Sequence, residues 1–324
     1  MFAWLVSKCG VPLLPSPSAF SVVKWWAIPG YIVLLVANHW FRATRWRYLI
    51  AQIYPIRIPE CVRICWISFF AIFALPLRLG EFVRPVLGKL RLGIPMSAGI
   101  GTVAIERVLD GLVTTLFVVW ALFFIDRVPS DDTLVKSLPY YGYTMLIVFA
   151  AAFIMLGLFL YQRKFALKLV RKTIGLFSDR LSHLVSEKLD SLANGLGVLS
   201  RPALFVPFVV ETLLYWGINA LGMWFLARGC GLPIGLDHAV GLVGILALGV
   251  LLPAGPGLFG NFQLAVSVGL KLYLAESIVA GPGSVFIFLL YTIQASFVAL
   301  VGLIPVYTMK LHMKDLLTRP SSPG

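Results

Sequence analysis

The sequence predicts an all-α protein, a polytopic transmembrane helical bundle with two broken or re-entrant helical segments. Three observations lead there. First, 59% of its 324 residues are hydrophobic and 13% are charged, and the mean hydropathy is +0.91. A soluble domain carries about 25% charged residues, so lipid must be the solvent for much of this chain. Second, several stretches reach the ~20 apolar residues that a helix needs to cross roughly 30 Å of hydrocarbon. Third, two apolar stretches are interrupted, at Leu75-Pro76 and at Leu252-Pro253, in opposite halves of the chain.

Residues 1–27 read as an N-terminal segment, either interfacial or a truncated first span. They lack a basic start, and Pro12, Pro15 and Pro17 break the apolar run, so they do not read as a signal peptide. A single membrane domain covers 28–308, and 309–324 read as a cytoplasmic tail. The first span, 28–48, ends in Arg42, Arg45 and Arg47 among Trp40, Trp46 and Tyr48. Basic and aromatic residues together mark a cytoplasmic interface. Residues 61–77 are apolar but short. A span over 99–125 opens with Glu106, Arg107 and Asp110. The connector 126–139, with Asp126, Asp131 and Asp132, reads as external. A span over 141–160 returns to Arg163, Lys164, Lys168, Arg171 and Lys172 on the inner side.

Residues 163–200 form an amphipathic cytoplasmic segment. Val170, Ile174, Phe177, Leu181 and Leu184 recur at helical spacing, as do Val185, Leu189, Leu192, Leu196 and Leu199. Such a segment suits a helix on the membrane surface or a cytoplasmic hairpin. A span over 203–227 crosses outward, 238–275 hold two apolar halves around the second break, and the last span covers 284–308.

Charge bias fixes the topology. If 61–77 crossed fully, Arg78, Arg84, Lys89 and Arg91 would lie outside and the acidic connector inside, against the positive-inside rule. If 61–85 enters from the inside and turns back, and 238–275 does the same from the outside, every later loop falls on its expected side. Paired interrupted segments of opposite orientation are the arrangement of an inverted repeat around a midplane site.

The candidate site residues emerge from cost. Arg78, Glu81, Arg84, Glu106, Arg107 and Asp110 lie in or beside apolar segments. Each charge at the centre of a membrane helix costs about 2.5–3.5 kcal/mol on insertion scales. They must therefore face inward and pair with one another or with a polar ligand. Arg78/Glu81, Glu81/Arg84 and Arg107/Asp110 are each three apart, which places them on common helical faces. Arginine is suited to bidentate phosphate recognition. At the second break, Pro256, Gly257 and Gly260 open the backbone, and Asn261 and Gln263 supply neutral polar groups where a helix N-terminus would favour an anion.

These residues resemble a known family, the flippase-like membrane proteins that share the transmembrane region of bacterial lysylphosphatidylglycerol synthases. The family pattern Pro-x-Arg-x-Gly-Glu-x-x-Arg, then Glu-Arg-x-x-Asp, corresponds to Pro76, Arg78, Gly80, Glu81 and Arg84, then Glu106, Arg107 and Asp110. The second pattern, Pro-Gly-Gly-x-Gly and then Arg-Glu, is met by Pro256, Gly257 and Gly260. Leu258 stands at its second glycine, and Phe262 and Gln263 replace the Arg-Glu pair. The resemblance implies a lipid flippase or lipid-binding transporter for an anionic or polyprenyl-type lipid, in the bacterial inner (plasma) membrane. The synthases add a soluble aminoacyl-transfer domain after the membrane region. This sequence reads as a membrane domain alone, so it is not expected to be an enzyme.

Other readings are weaker. Asp110-Gly111 resembles the opening of the CDP-alcohol phosphotransferase motif, but the residues after it lack the further aspartates that would hold metal. An accessory subunit beside a lipid-modifying enzyme is a third reading, and a homo-oligomer a further partner. The surplus of 27 Lys and Arg over 14 Asp and Glu lies at the ends of apolar stretches, so nucleic acid is not expected. Cys61 and Cys65 read as small buried hydrophobes, and the four histidines, His39 included, form no metal cluster. No cofactor is expected, and no Walker-type loop is present to use ATP directly.

Overall fold

The computed structural model describes residues 12, 14–129, 132–163, 179–252 and 255–308, without the side chains of 179–182. Every regular element among the described residues is helical. In order they are α1 (Ala27–Thr44), α2 (Trp46–Ile50), α3 (Ile58–Ala74), α4 (Val83–Leu92), α5 (Met96–Phe124), α6 (Thr133–Tyr161), α7 (Asp179–Leu196), α8 (Pro202–Gly229), α9 (Leu236–Leu251), α10 (Asn261–Lys271) and α11 (Ser284–Thr308). Among the described residues four helices are long and apolar enough to cross a membrane: α5, α6, α8 and the segment Glu276–Thr308 that ends in α11. The protein is thus a multi-pass membrane protein. Helix α1, expected as the first span, falls outside that set, because Asn38, His39 and Arg42 dilute its apolar character.

The chain divides into two compact units. One comprises Met1–Arg45, Glu106–Met155 and Val209–Ser296, the other Trp46–Ile105, Leu156–Phe208 and Phe297–Gly324. Each contains one broken hairpin.

In the second unit, α3 stops at Ala74 because Leu75 precedes Pro76. A residue before proline is pushed out of the α region, and Leu75 is extended at φ −92, ψ 142. Leu77 and Arg78 then adopt left-handed backbone, φ 54 and 59, an unfavourable conformation for residues bearing a Cβ. These two residues turn the chain so that α4 runs back along α3. Gly80 makes the return possible. A Cβ there would lie 2.0 Å from the Ile72 backbone nitrogen and 2.1 Å from the Ala71 carbonyl carbon. The Ser68 hydroxyl donates to the Gly80 carbonyl at 3.3 Å across the same contact. Gly93, at φ 67, ends α4, and the Ile94 N–H reaches back to the Gly88 carbonyl as a cap.

The amphipathic segment is only partly within the described residues, since 164–178 lie outside them. Its second half is α7. Leu196 is buried and Val185, Leu189, Leu192 and Leu199 are half-buried, whereas Leu184 is exposed. Backbone meets backbone where α7 crosses the start of α5: a Cβ on Gly195 would stand 2.2 Å from the Ala98 carbonyl oxygen.

In the first unit, α9 and α10 repeat the hairpin. Helix α9 ends at Leu251, and Leu252, before Pro253, is extended at φ −62, ψ 146. Contacts run antiparallel along the pair. A Cβ on Gly249 would meet Ala265, one on Gly269 would meet Leu242, and one on Gly241 would meet Tyr273. The end of α10 is fastened to the α5–α6 connection. Val128 N–H donates to the Leu272 carbonyl at 3.0 Å, and Lys271 Nζ bonds Asp132 Oδ2 at 2.9 Å.

Two measurements of thermal unfolding in detergent check these features. Gly80→Ala should cost about 3 kcal/mol, the upper end for overpacking, because its neighbours are backbone. Gly88→Ala, where the nearest atom to the new Cβ is Ile94 Cδ1 at 4.0 Å, should instead gain about 0.5–1 kcal/mol. The Asp132 staple should be pH-dependent. Burial raises its carboxyl, but the bonds from Lys271 and the Leu134 N–H outweigh it and hold the carboxyl below the usual value. Its contribution is therefore present above the ordinary carboxylate range and lost as pH falls through the depressed value. Asp132→Asn should lower the unfolding midpoint at pH 6 and converge on wild type in strong acid.

Candidate functional site

The acidic and basic residues of α5 do not open their helix, as hydropathy alone suggests, but sit near its middle: Asp110 is fifteenth of the 29 residues from Met96 to Phe124. What holds them there is Arg45, from the end of α1. Arg45 is 0% exposed. Its Nη1 donates to Asp110 Oδ1 at 2.6 Å and its Nη2 to Asp110 Oδ2 at 2.8 Å, a bidentate pair. Nη2 also donates to Glu106 Oε1 at 3.1 Å, and Nη1 to Thr212 Oγ1 at 3.2 Å. The guanidinium lies 4.8 Å from the Tyr215 ring centroid, a cation–π distance.

The surroundings of this pair are polar and occupied. Trp216 Nε1 donates to Asp110 Oδ1 at 3.0 Å. The Thr44 hydroxyl donates to Glu211 Oε2 at 2.6 Å, and Asn38 Nδ2 to the Tyr215 carbonyl at 2.8 Å. Arg107 closes the cluster. It binds Glu106 and lies 3.4 Å from Asp110 Oδ2. Its side chain is 23% exposed, whereas Glu106 is fully enclosed. Arg107 is therefore the open edge of a charge cluster whose interior is closed.

Sequence pattern assigns Arg42, Arg45 and Trp46 to a cytoplasmic interface. Of these, Arg45 and Trp46 are buried within the protein rather than presented on its surface. Trp46 Nε1 donates to Thr102 Oγ1 at 3.1 Å within the second unit. Arg42 lies half-buried, 5.8 Å from the same Tyr215 ring. No local signal marks Arg45, since its carboxylate partners lie 61 and 65 residues along the chain.

The first break carries the remaining charged candidates. Arg78 and Glu81 pair at 3.1 Å, with side chains 18% and 20% exposed. The expected helical face does not exist there, because Leu77 and Arg78 are left-handed, but the pair forms across the turn. Arg84 is 2% exposed. Its guanidinium lies 5.6 Å from the Trp46 ring and 5.5 Å from the Phe69 ring, so it is enclosed by aromatic faces.

At the second break, Gly257, Leu258 and Gly260 are all left-handed, φ 76, 55 and 89. Gln263 Oε1 accepts the Gly260 N–H at 2.7 Å, and Asn261 Nδ2 donates to the Leu252 carbonyl at 3.2 Å. Both side chains close the turn. The Tyr291 hydroxyl donates to the Gly257 carbonyl at 3.0 Å, and Phe259 and Phe262 pack edge-on against the same ring. Pro256 is exposed at the turn. Among the described residues no group of three or more His, Cys, Asp and Glu is placed to hold a metal ion. Cys61, Cys65 and Cys230 are buried.

The family described as lysylphosphatidylglycerol synthase TM region matches residues 2–302. The chain belongs to this family. No curated protein and no solved structure matches it. The family is membrane-embedded and lipid-related.

Arg45 and Arg107 should differ sharply in stability experiments. Arg45→Ala leaves Glu106 and Asp110 buried without their main cation and should cost about 3–5 kcal/mol. Arg107→Gln leaves both carboxylates bonded to Arg45 and should cost under about 1 kcal/mol. Thermal midpoints of the two purified variants decide this.

Proposed function

We propose that this chain binds and moves a membrane lipid whose headgroup carries phosphate, of anionic or polyprenyl-linked type, across a bacterial inner membrane. The observation that carries this reading is Arg107. Its partly exposed side chain lies near the middle of a membrane-length helix, with its carboxylate partners already held by Arg45. A charge at that depth is expensive unless it is paired or used. Arg107 can exchange its share of Glu106 and Asp110 for a phosphate without leaving either carboxylate bare.

Arg78 and Glu81 are the second candidate element, an accessible ion pair on a strained turn. Strained backbone of this kind persists where the surrounding structure holds it and is often tied to function. The neutral groups at the second break fit a supporting part, since Asn261 and Gln263 fix the shape of the turn through their bonds to Leu252 and Gly260. Gln263 supplies an acceptor but no charge. A proton carried at that position is therefore not part of the proposal.

No chemical transformation of the lipid is proposed. The chain acts alone or as a homo-oligomer, or beside an enzyme that modifies its lipid.

The test is translocation in proteoliposomes, with headgroup-labelled phospholipids and a membrane-impermeant quencher. Wild type should expose the inner-leaflet fraction to the quencher, and Arg107→Gln and Arg78→Gln should each slow this at least tenfold while melting with wild type. Chelation of divalent cations should leave the rate unchanged. Equal protection in protein-free and wild-type vesicles, across phosphatidylglycerol, phosphatidylethanolamine and a polyprenyl phosphate, would overturn the proposal in favour of an accessory role.

A further inference from the structure

One end of the first unit carries a ring of exposed aromatic side chains that the charged site does not use. Trp120, Phe123 and Phe124 come from the last turns of α5, and Tyr140, Tyr141 and Tyr143 from the facing turns of α6. Trp120 stacks on Phe124 at 4.6 Å, and Phe123 meets Tyr143 edge-on at 6.0 Å. The two helices pair here, since a Cβ on Gly142 would meet Val118 and Leu122. Trp25 and Trp26, 60% and 63% exposed, stand at the start of α1.

All of these lie at one end of the unit. The Lys24 N–H donates to the Gly229 carbonyl at the C-terminus of α8. Helix α9 begins seven residues later, at Leu236, and a Cβ on its Gly241 would meet both Ala121 of α5 and Tyr273. Beyond the rings the chain is charged: Asp126, Arg127, the Asp132–Lys271 pair and the Asp237–His238 pair. On the other side of the rings, the outward residues of α6 are apolar, Ile147, Val148, Ala151 and Ile154 among them. Rings with polar tips between a charged end and an apolar wall are suited to the headgroup–acyl boundary, where Trp and Tyr concentrate.

We infer that this aromatic ring seats in the glycerophospholipid interface, that it fixes the depth of the first unit in the bilayer, and that the segment leading into α1 lies in the headgroup layer at Trp25 and Trp26. The partner surface is the lipid interface itself. Apolar grooves elsewhere on the unit face acyl chains without setting depth, because they have no polar tips. The geometry also gives a scale. The ten residue steps of α6 from Tyr141 to Ala151 span about 15 Å, half of the roughly 30 Å hydrocarbon core. When Tyr141 is at the boundary, Ala151 is at the bilayer centre.

Spin-label depth measurement tests this in liposomes of phosphatidylethanolamine and phosphatidylglycerol. Single labels go at Trp26→Cys, Phe124→Cys, Tyr141→Cys and Ala151→Cys, with Cys9→Ser and the buried cysteines retained. All four positions are exposed. Relative accessibility to oxygen and to a water-soluble nickel complex should place the first three labels at one shallow depth and the fourth at the bilayer centre. A label at position 26 as deep as that at 151 would overturn the inference, as would positions 124 and 141 being as open to nickel as a label in water. In the unlabelled protein, quenching by lipids brominated near the headgroup should exceed quenching by lipids brominated near the chain end, and the difference should shrink in W25F/W26F. Equal quenching from both depths, unchanged in that variant, counts against the inference even if a cysteine variant fails to fold.

Discussion

The arginine at position 45 is shared between two carboxylates, and the first unit depends on that sharing. A single guanidinium, through four hydrogen bonds, ties the end of α1 to the middle of α5 and to Thr212 of α8. Three helices are thereby joined by groups that could not be left bare in an apolar interior. A carboxylate or guanidinium removed from water costs several kcal/mol even after relaxation, and only good geometry with every lone pair used repays it. Here Trp216 takes a further position on Asp110, and Tyr215 covers the guanidinium face. Because Arg45 already holds both carboxylates, Arg107 can stay at the edge with part of its surface open. Burial of one arginine makes the exposure of another useful.

The two broken hairpins rest on a different physical constraint, the stereochemistry of proline. Leu75 and Leu252 each precede a proline, and each is driven to extended backbone as its helix ends. Beyond the prolines the two turns diverge. The first places Leu77 and Arg78 in left-handed conformations and leaves the Arg78–Glu81 pair accessible. The second uses glycines for most of its left-handed positions and tolerates Leu258 at one of them. The φ of 55 at Leu258 is a conformation that glycine adopts at no steric cost.

Much of this is legible in the sequence. Membrane class, the two breaks and the inward pairing of Glu106, Arg107 and Asp110 all stem from hydropathy, proline and the cost of buried charge. Arg45 is not legible, because its partners lie 61 and 65 residues away, and an arginine at the end of an apolar helix reads as an interface marker. The enclosure of Arg84 is hidden for a related reason: nothing local reveals that Trp46 and Phe69 cover it. Gln263 reads as a lost charge, whereas its amide oxygen still caps the Gly260 N–H. Local rules describe where the chain turns, and long-range pairing decides which charges remain available.

Glu106 and Asp110 are held in the first unit by Arg45, and a stability cycle measures that hold. Thermal unfolding would be compared for wild type, Arg45→Met, and the triple variant Arg45→Met/Glu106→Gln/Asp110→Asn in one detergent at one pH. The single variant should show a large drop in midpoint and the triple should recover part of it, because the buried carboxylates are gone and only the partly exposed Arg107 loses partners. A single variant that melts with wild type, or a triple variant no more stable than the single, would contradict it.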